Sequence, residues 1–210
     1  MTLSLNEIEA TAKKAARGAG YPWGLAEEAG KVTRWLCSHD LDGCAALAGL
    51  LHRIDGADIA DWSPVPGDAV WSASDGLLCP LSTGAAISDR AHEISEGEIR
   101  LGEIARPIVL APFAAYVAQQ IGKPVSVKCG EAEFSTDGER ISLKGRPPEV
   151  SPWASIAIGG AVDEPMKRRQ RGNPDAGDWK TLTAFAHRTY APATEESRIK
   201  GAGAGLSDND

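Results

Sequence analysis

The sequence predicts an α+β protein: an N-terminal three-helix lobe, then a mainly antiparallel sheet with a helix packed on it. Three observations carry this. Apolar residues recur at helical spacing as far as Ile54, past Gly56 short runs punctuated by Pro and Gly take over, and Asp137-Gly138 separates two such runs. The expected organisation is a lobe over residues 1–56, an α+β body over 57–188 and a Gly/Ala-rich C-terminal segment over 189–210 that folds back on the body.

With 210 residues, 42 % of them hydrophobic, the chain can build its own core without staples. Its net charge of −7 (22 basic against 29 acidic residues) argues against nucleic acid as a partner. No apolar run approaches the roughly eighteen residues of a membrane helix. Met1–Glu7 offers neither a basic nor an apolar leader region, so a cytoplasmic protein with no membrane partner is expected. Cys37, Cys44, Cys79 and Cys129 form no C-x-x-C pair and read as buried thiols. A zinc site from Cys37, His39 and Cys44 lacks a second ligand pair, so no metal is expected.

The first helix starts at a capping box, Ser4 with Glu7, and a hydrophobic staple, Leu3 with Ile8. Leu5, Ile8, Ala12 and Ala15 keep its stripe, Lys13, Lys14 and Arg17 favour the negative end of its dipole, and Gly18 and Gly20 end it. A turn over Tyr21–Gly24 leads to a second helix running to about Cys37, with Glu27 and Glu28 in its first turn. Gly30 inside it predicts a close helix crossing. Asp42 caps a third helix, from about Gly43 to Arg53.

Residues 61–67 hold two prolines one residue apart and form no regular element. A short helix is expected over 82–92 and a strand over Ile99–Leu101. Pro107–Ala111 reads as a buried strand, and Pro112 as the first residue of a helix closed by Gly122. Val125–Cys129 alternates, a hairpin turns at Asp137-Gly138, and Ala154–Ile158 adds another strand, giving a β-α-β-β-β order. Lys167–Arg171 is a basic run, read as a solvated loop or an anion grip. A final helix from about Asp178 to Arg188 carries Trp179, Leu182 and Phe185 at core spacing.

Two stretches carry a family resemblance: Leu5–Ala10 with Gly20–Gly30 and Arg34-Trp35-Leu36, and Tyr190–Arg198 with Gly201–Gly205 and Asp208-Asn209-Asp210. Together they resemble a bacterial family of cytoplasmic proteins filed as a domain of unknown function, a resemblance that implies no activity. The helical opening is also similar in layout to the start of the malate/L-lactate dehydrogenase family unrelated to the Rossmann enzymes. That family carries an acid/base His in an Asp-Ser-His-Gly stretch, where this chain has Asp40-Leu41-Asp42-Gly43, so Asp42 stands at the His position. No G-x-G-x-x-G follows a strand, so no nucleotide cofactor and no hydride transfer are expected.

Candidate chemistry gathers near the C-terminus. His187, Glu195 and Glu196 are the candidate proton carriers, Arg198 an anion clamp, and Tyr190 and Ser197 orienting groups. His39 and His52 sit at helix ends, where a cation suits the dipole. Glu27, Lys31 and Arg34 fall on one helix face, beside Trp23 and Trp35, and Trp23 and Arg34 are candidate substrate-binding residues. The expected function is an enzyme, or enzyme subunit, acting on a small polar, anionic metabolite by non-redox acid/base chemistry. The alternative is a non-catalytic ligand-binding module or an assembly partner of another metabolic enzyme, self-association included.

Overall fold

The computed structural model describes residues 2–66 and 69–190, with the backbone alone at 95 and 96. A two-residue strand β1 (Leu3–Ser4) leads into α1 (Leu5–Gly18), where the Ser4 hydroxyl accepts from the Glu7 N–H at 3.1 Å as a helix cap. The buried face of α1 is Ile8, Ala12, Ala15 and Ala16. Tyr21, fully buried, anchors the turn into α2 (Trp23–Ser38), which begins earlier than the sequence suggested. Glu27 and Glu28 consequently fall beyond its first turn. Gly30 lies against α1, and a Cβ there would come within 2.9 Å of the Glu9 carbonyl oxygen, so the expected close crossing is present. Asp42 caps α3 (Gly43–Ile54) by accepting from the Ala45 N–H at 3.1 Å.

After a 3-10 turn (Ile59–Trp62) come α4 (Pro80–Asp89) and α5 (Ala91–Glu96), two helices where one was expected. β2 (Ile99–Leu101) and β3 (Ile104–Ala105) follow. The expected strand at Pro107–Ala111 is absent. Pro107–Val109 forms a 3-10 turn that runs into α6 (Leu110–Ile121), so Pro112 is the third residue of the helix rather than its first. The reason is local. Arg106 takes a left-handed conformation (φ 42°), which breaks extension just before Pro107. Apart from the half-buried Ile108, the run that follows is buried through Ala115, and near-continuous burial leaves no period by which strand and helix differ.

β4 (Val125–Cys129), β5 (Ala132–Thr136), β6 (Ile141–Lys144), β7 (Val150–Ser151) and β8 (Ala154–Ile158) complete the sheet region. The five-stranded sheet has order β2-β8-β4-β5-β6 with every neighbouring pair antiparallel. Its first strand is therefore β2, not the segment before α6. Val127 on the central strand faces Phe134 on one side and Ile156 on the other, all buried beneath α6. The β5–β6 loop turns where expected: Gly138 has φ 100°, and the Asp137 carboxylate accepts from the Glu139 and Arg140 N–H groups.

β9 (Arg171–Gly172) returns to pair with β1, and α7 (Ala176–His187) docks on α1 and α3. Gly18 permits this: a Cβ there would overlap the Phe185 carbonyl. Leu182, Phe185 and Ala186 join one apolar core that runs from Leu3 through both the helices and the sheet. Helices α1 and α7 thus lie side by side. Among the described residues no helix is long and apolar enough to cross a membrane.

Candidate functional site

The docking of α7 on α1 creates a cleft of about 700 Å³ lined by Lys13, Lys14, Arg17, Trp23, Arg188 and Tyr190, with Ala10, Gly18 and Thr189. Three of its four cations come from α1, where positions 13, 14 and 17 share one side of the helix, and the fourth, Arg188, follows α7. Its aromatic walls are the first residue of α2 and the residue that follows the α7 turn. Trp23 is 64 % exposed and Tyr190 54 %, so two large rings are held in water beside four cations.

Arg17 supports Trp23. Its guanidinium carbon lies 4.7 Å from the ring centre, and it also donates to the Tyr21 carbonyl. Lys13 Nζ lies 5.6 Å from the same ring centre and is paired with Glu27 at 2.6 Å, which holds that carboxyl below its ordinary range. Lys14 Nζ lies 5.6 Å from the Tyr190 ring centre. Arg188 forms a bidentate pair with Asp55 at 2.6 and 2.9 Å and lies over the Phe185 ring. Among the described residues, Lys14 and Arg17 have no carboxylate partner. The cleft lining contains four cations and no acid, on a chain whose net charge is −7.

The structure brings together two of the residues singled out from sequence, Trp23 and Tyr190. His187 sits on the last turn of α7 with its ring centre 5.2 Å from that of Tyr190, beside the cleft lining rather than in it. Arg34 points elsewhere, to Glu9 at 2.7 Å, so the expected polar stripe on α2 is used to tie α2 to α1. Glu195, Glu196, Ser197 and Arg198 lie outside the described residues. Sequence reasoning missed Lys13, Lys14, Arg17 and Arg188 as site residues. The cluster of three cations just before an exposed Trp was the available signal.

A second, polar recess of about 450 Å³ lies where α2 turns into α3, lined by Cys37, Asp40, Asp42, Arg169, Arg171 and Asn173 among others. Asp40 is left-handed (φ 59°) and is clasped by Arg169 through both carboxylate oxygens at 2.9 Å. His39, fully buried, corrects the expectation of a helix-end cation. Arg168 can only donate, so His39 Nε2 must accept from it, and Nδ1–H donates to the Trp35 carbonyl at 2.8 Å. Burial first, then the nearby Arg168 charge, push His39 below its ordinary range and keep it neutral. The basic run at 167–171 is thus a clasp on the α2–α3 corner. Asp42, at the position of the dehydrogenase His, is a helix cap here. No group of three or more His, Cys, Asp or Glu among the described residues is placed to hold a metal.

A third depression, about 670 Å³ and mainly apolar, runs between α2, α4 and α6 past Leu25, Val32, Trp35, Phe113 and Tyr116.

Fold and cleft together define an α+β protein with a basic, aromatic-walled cleft where its first and last helices meet. Residues 3–74 match a family described as "Protein of unknown function (DUF3726)", in agreement with the resemblance read from the N-terminal stretch. No curated protein matches the chain. Among solved structures, a malate dehydrogenase from Entamoeba histolytica is similar at 11 % identity and a TM-score of 0.47, covering 76 % of this chain and 49 % of that one. The chain spans about half the length of that enzyme.

Proposed function

We propose that the chain binds a small anionic metabolite with a flat, unsaturated or aromatic part in the α1–α7 cleft, as an enzyme or enzyme subunit using non-redox acid/base chemistry. One observation carries the reading: four cations and two exposed rings converge on one cleft of an otherwise acidic protein. Cations attract the anion and fix its orientation, while ring faces favour a flat group by stacking. His187, whose ring lies against that of Tyr190, is the proton carrier in this reading, and Tyr190 the orienting phenol.

The test is thermal stability across a panel of aromatic carboxylates and phosphates with their aliphatic counterparts. A ligand at a hundred times its Kd stabilises by about 2.7 kcal/mol, a clear rise in Tm. The reading expects aromatic anions to raise Tm in the native chain and not in Lys14→Glu or Trp23→Ala. It fails if no panel member acts, or if both variants respond as the native chain does. Turnover that His187→Gln abolishes while leaving the Tm shift intact separates an enzyme from a binding module.

A second reading, a non-catalytic assembly partner, is favoured by the apolar depression over α2, α4 and α6, where Tyr116 is 56 % exposed. Sedimentation of the native chain against Tyr116→Glu tests self-association through it. A single monomeric species for both removes that arm.

A further inference from the structure

The four thiols of this chain are not alike. Cys129 is fully buried, and burial pushes its thiol up to about 11. Cys79 is fully buried and lies 3.1 Å from the Tyr21 hydroxyl. Cys37 instead lies 4.0 Å from Cys44 and also lines the polar recess at the α2–α3 corner. It therefore stands between a second thiol and an opening to solvent.

The corner is built to keep the pair close. Cys37 is the penultimate residue of α2 and Cys44 the second of α3, and the residues between them are clasped from outside by Arg168 on His39 and Arg169 on Asp40. Gly43 leaves the sulfur room: a Cβ there would stand 3.2 Å from Cys37 Sγ. Either sulfur can donate in this contact. The bond with Cys44 and the first amides of α3, Gly43 and Cys44, draw the Cys37 thiol below its ordinary range. Cys44 is driven the other way by the same bond and by burial.

We propose that Cys37 and Cys44 are a peroxide-oxidised thiol pair that closes a disulfide across the α2–α3 corner. In the first step the Cys37 thiolate attacks one oxygen of a hydroperoxide. An S–O bond forms, the O–O bond breaks, and the departing alkoxide or hydroxide takes a proton, leaving as alcohol or water. Sulfur is oxidised by two electrons and the peroxide is reduced. In the second step the Cys44 sulfur attacks the Cys37 sulfenic acid. The S–S bond forms, the S–O bond breaks, and the Cys44 proton leaves with the hydroxide as water. Two thiols and one hydroperoxide thus give one disulfide, one alcohol and one water. Arg169 and Arg171 line the same recess with Asp40 and Asp42, and Arg169 is held by Asp40, so its mouth carries both signs of charge.

The sequence makes the test clean, because residues 35–53 form one tryptic peptide with both Cys37 and Cys44 and no internal Lys or Arg. The folded full chain is treated with hydrogen peroxide, alkylated, digested and mapped. This peptide is expected to become two hydrogens lighter and to resist alkylation until reduced, roughly tenfold faster than Cys79 or Cys129 oxidise. In Cys44→Ser, a 1,3-dione probe is expected to trap Cys37 as its sulfenic acid. The proposal is overturned if both thiols of the peptide stay alkylatable while Cys79 or Cys129 reacts. It is equally overturned if all four oxidise together, or if native Cys37 advances to sulfinic acid without pairing. The wild-type map decides even if the variant does not fold.

Discussion

The Arg17 guanidinium stands 4.7 Å from the centre of the Trp23 ring while donating to the Tyr21 carbonyl, so a single cation links the end of α1 to the start of α2. It holds an exposed indole at a fixed place beside Lys14 and Arg188. Ordering an exposed aromatic in advance reduces what a ligand must supply on binding.

Two carboxylates outside the cleft lining restrain its charge: Glu27 on Lys13 and Asp55 on Arg188. Glu27→Gln and Asp55→Asn should therefore tighten binding of an aromatic anion by a few-fold, and the gain should shrink as salt rises. Titration calorimetry at two ionic strengths checks both signs. Weaker binding in both variants would mean that those pairs position the cations rather than neutralise them.

The α1–α7 contact has a sharp steric requirement. Gly18→Ala places a Cβ on the Phe185 carbonyl and should cost about 2–3 kcal/mol, because backbone on both sides must shift. Gly24→Ala meets nothing within 4 Å inside α2 and should gain up to about 1 kcal/mol. Chemical denaturation of the two variants should show opposite shifts in midpoint.

His39 gives the fold a pH dependence whose sign follows from its neutral burial. The unfolded chain takes a proton near the ordinary histidine value of about 6.5, and the folded chain takes it only at lower pH. Between those values the unfolded state binds more protons. Stability from this group is therefore complete above about pH 6.5 and is lost as pH falls below it, by at most about 1.4 kcal/mol per unit. The carboxylates held below their ordinary range, Asp40, Asp55 and Asp137, act in the same direction in a more acidic window. Urea unfolding of the native chain and His39→Gln from about pH 8 to about pH 5 should show a shallower decline in the variant.

Local chemistry made much of the fold legible. The Asp42 cap, the Gly30 crossing and the Asp137-Gly138 turn are decided by residues within a few positions of one another, and each appears where expected. The Pro107–Ala111 strand failed because a nearly continuously buried run has no period, and the left-handed Arg106 that redirects it is invisible in composition. The cleft was legible in halves. Trp23 and Tyr190 drew notice as aromatics among polar residues, but Lys14 and Arg17 read as ordinary last-turn cations. Their convergence depends on α7 returning to α1 from the far end of the chain, a contact that no local pattern encodes.

The most direct test of the central claim is calorimetric titration of the native chain and Lys14→Glu with an aryl phosphate and its neutral parent phenol. The account predicts that the native chain binds the phosphate and not the phenol. It also predicts that Lys14→Glu, which alters one exposed side chain, weakens phosphate binding at least roughly tenfold without changing Tm in the absence of ligand. Equal affinity for phosphate and phenol, or unchanged phosphate binding in Lys14→Glu, would contradict it.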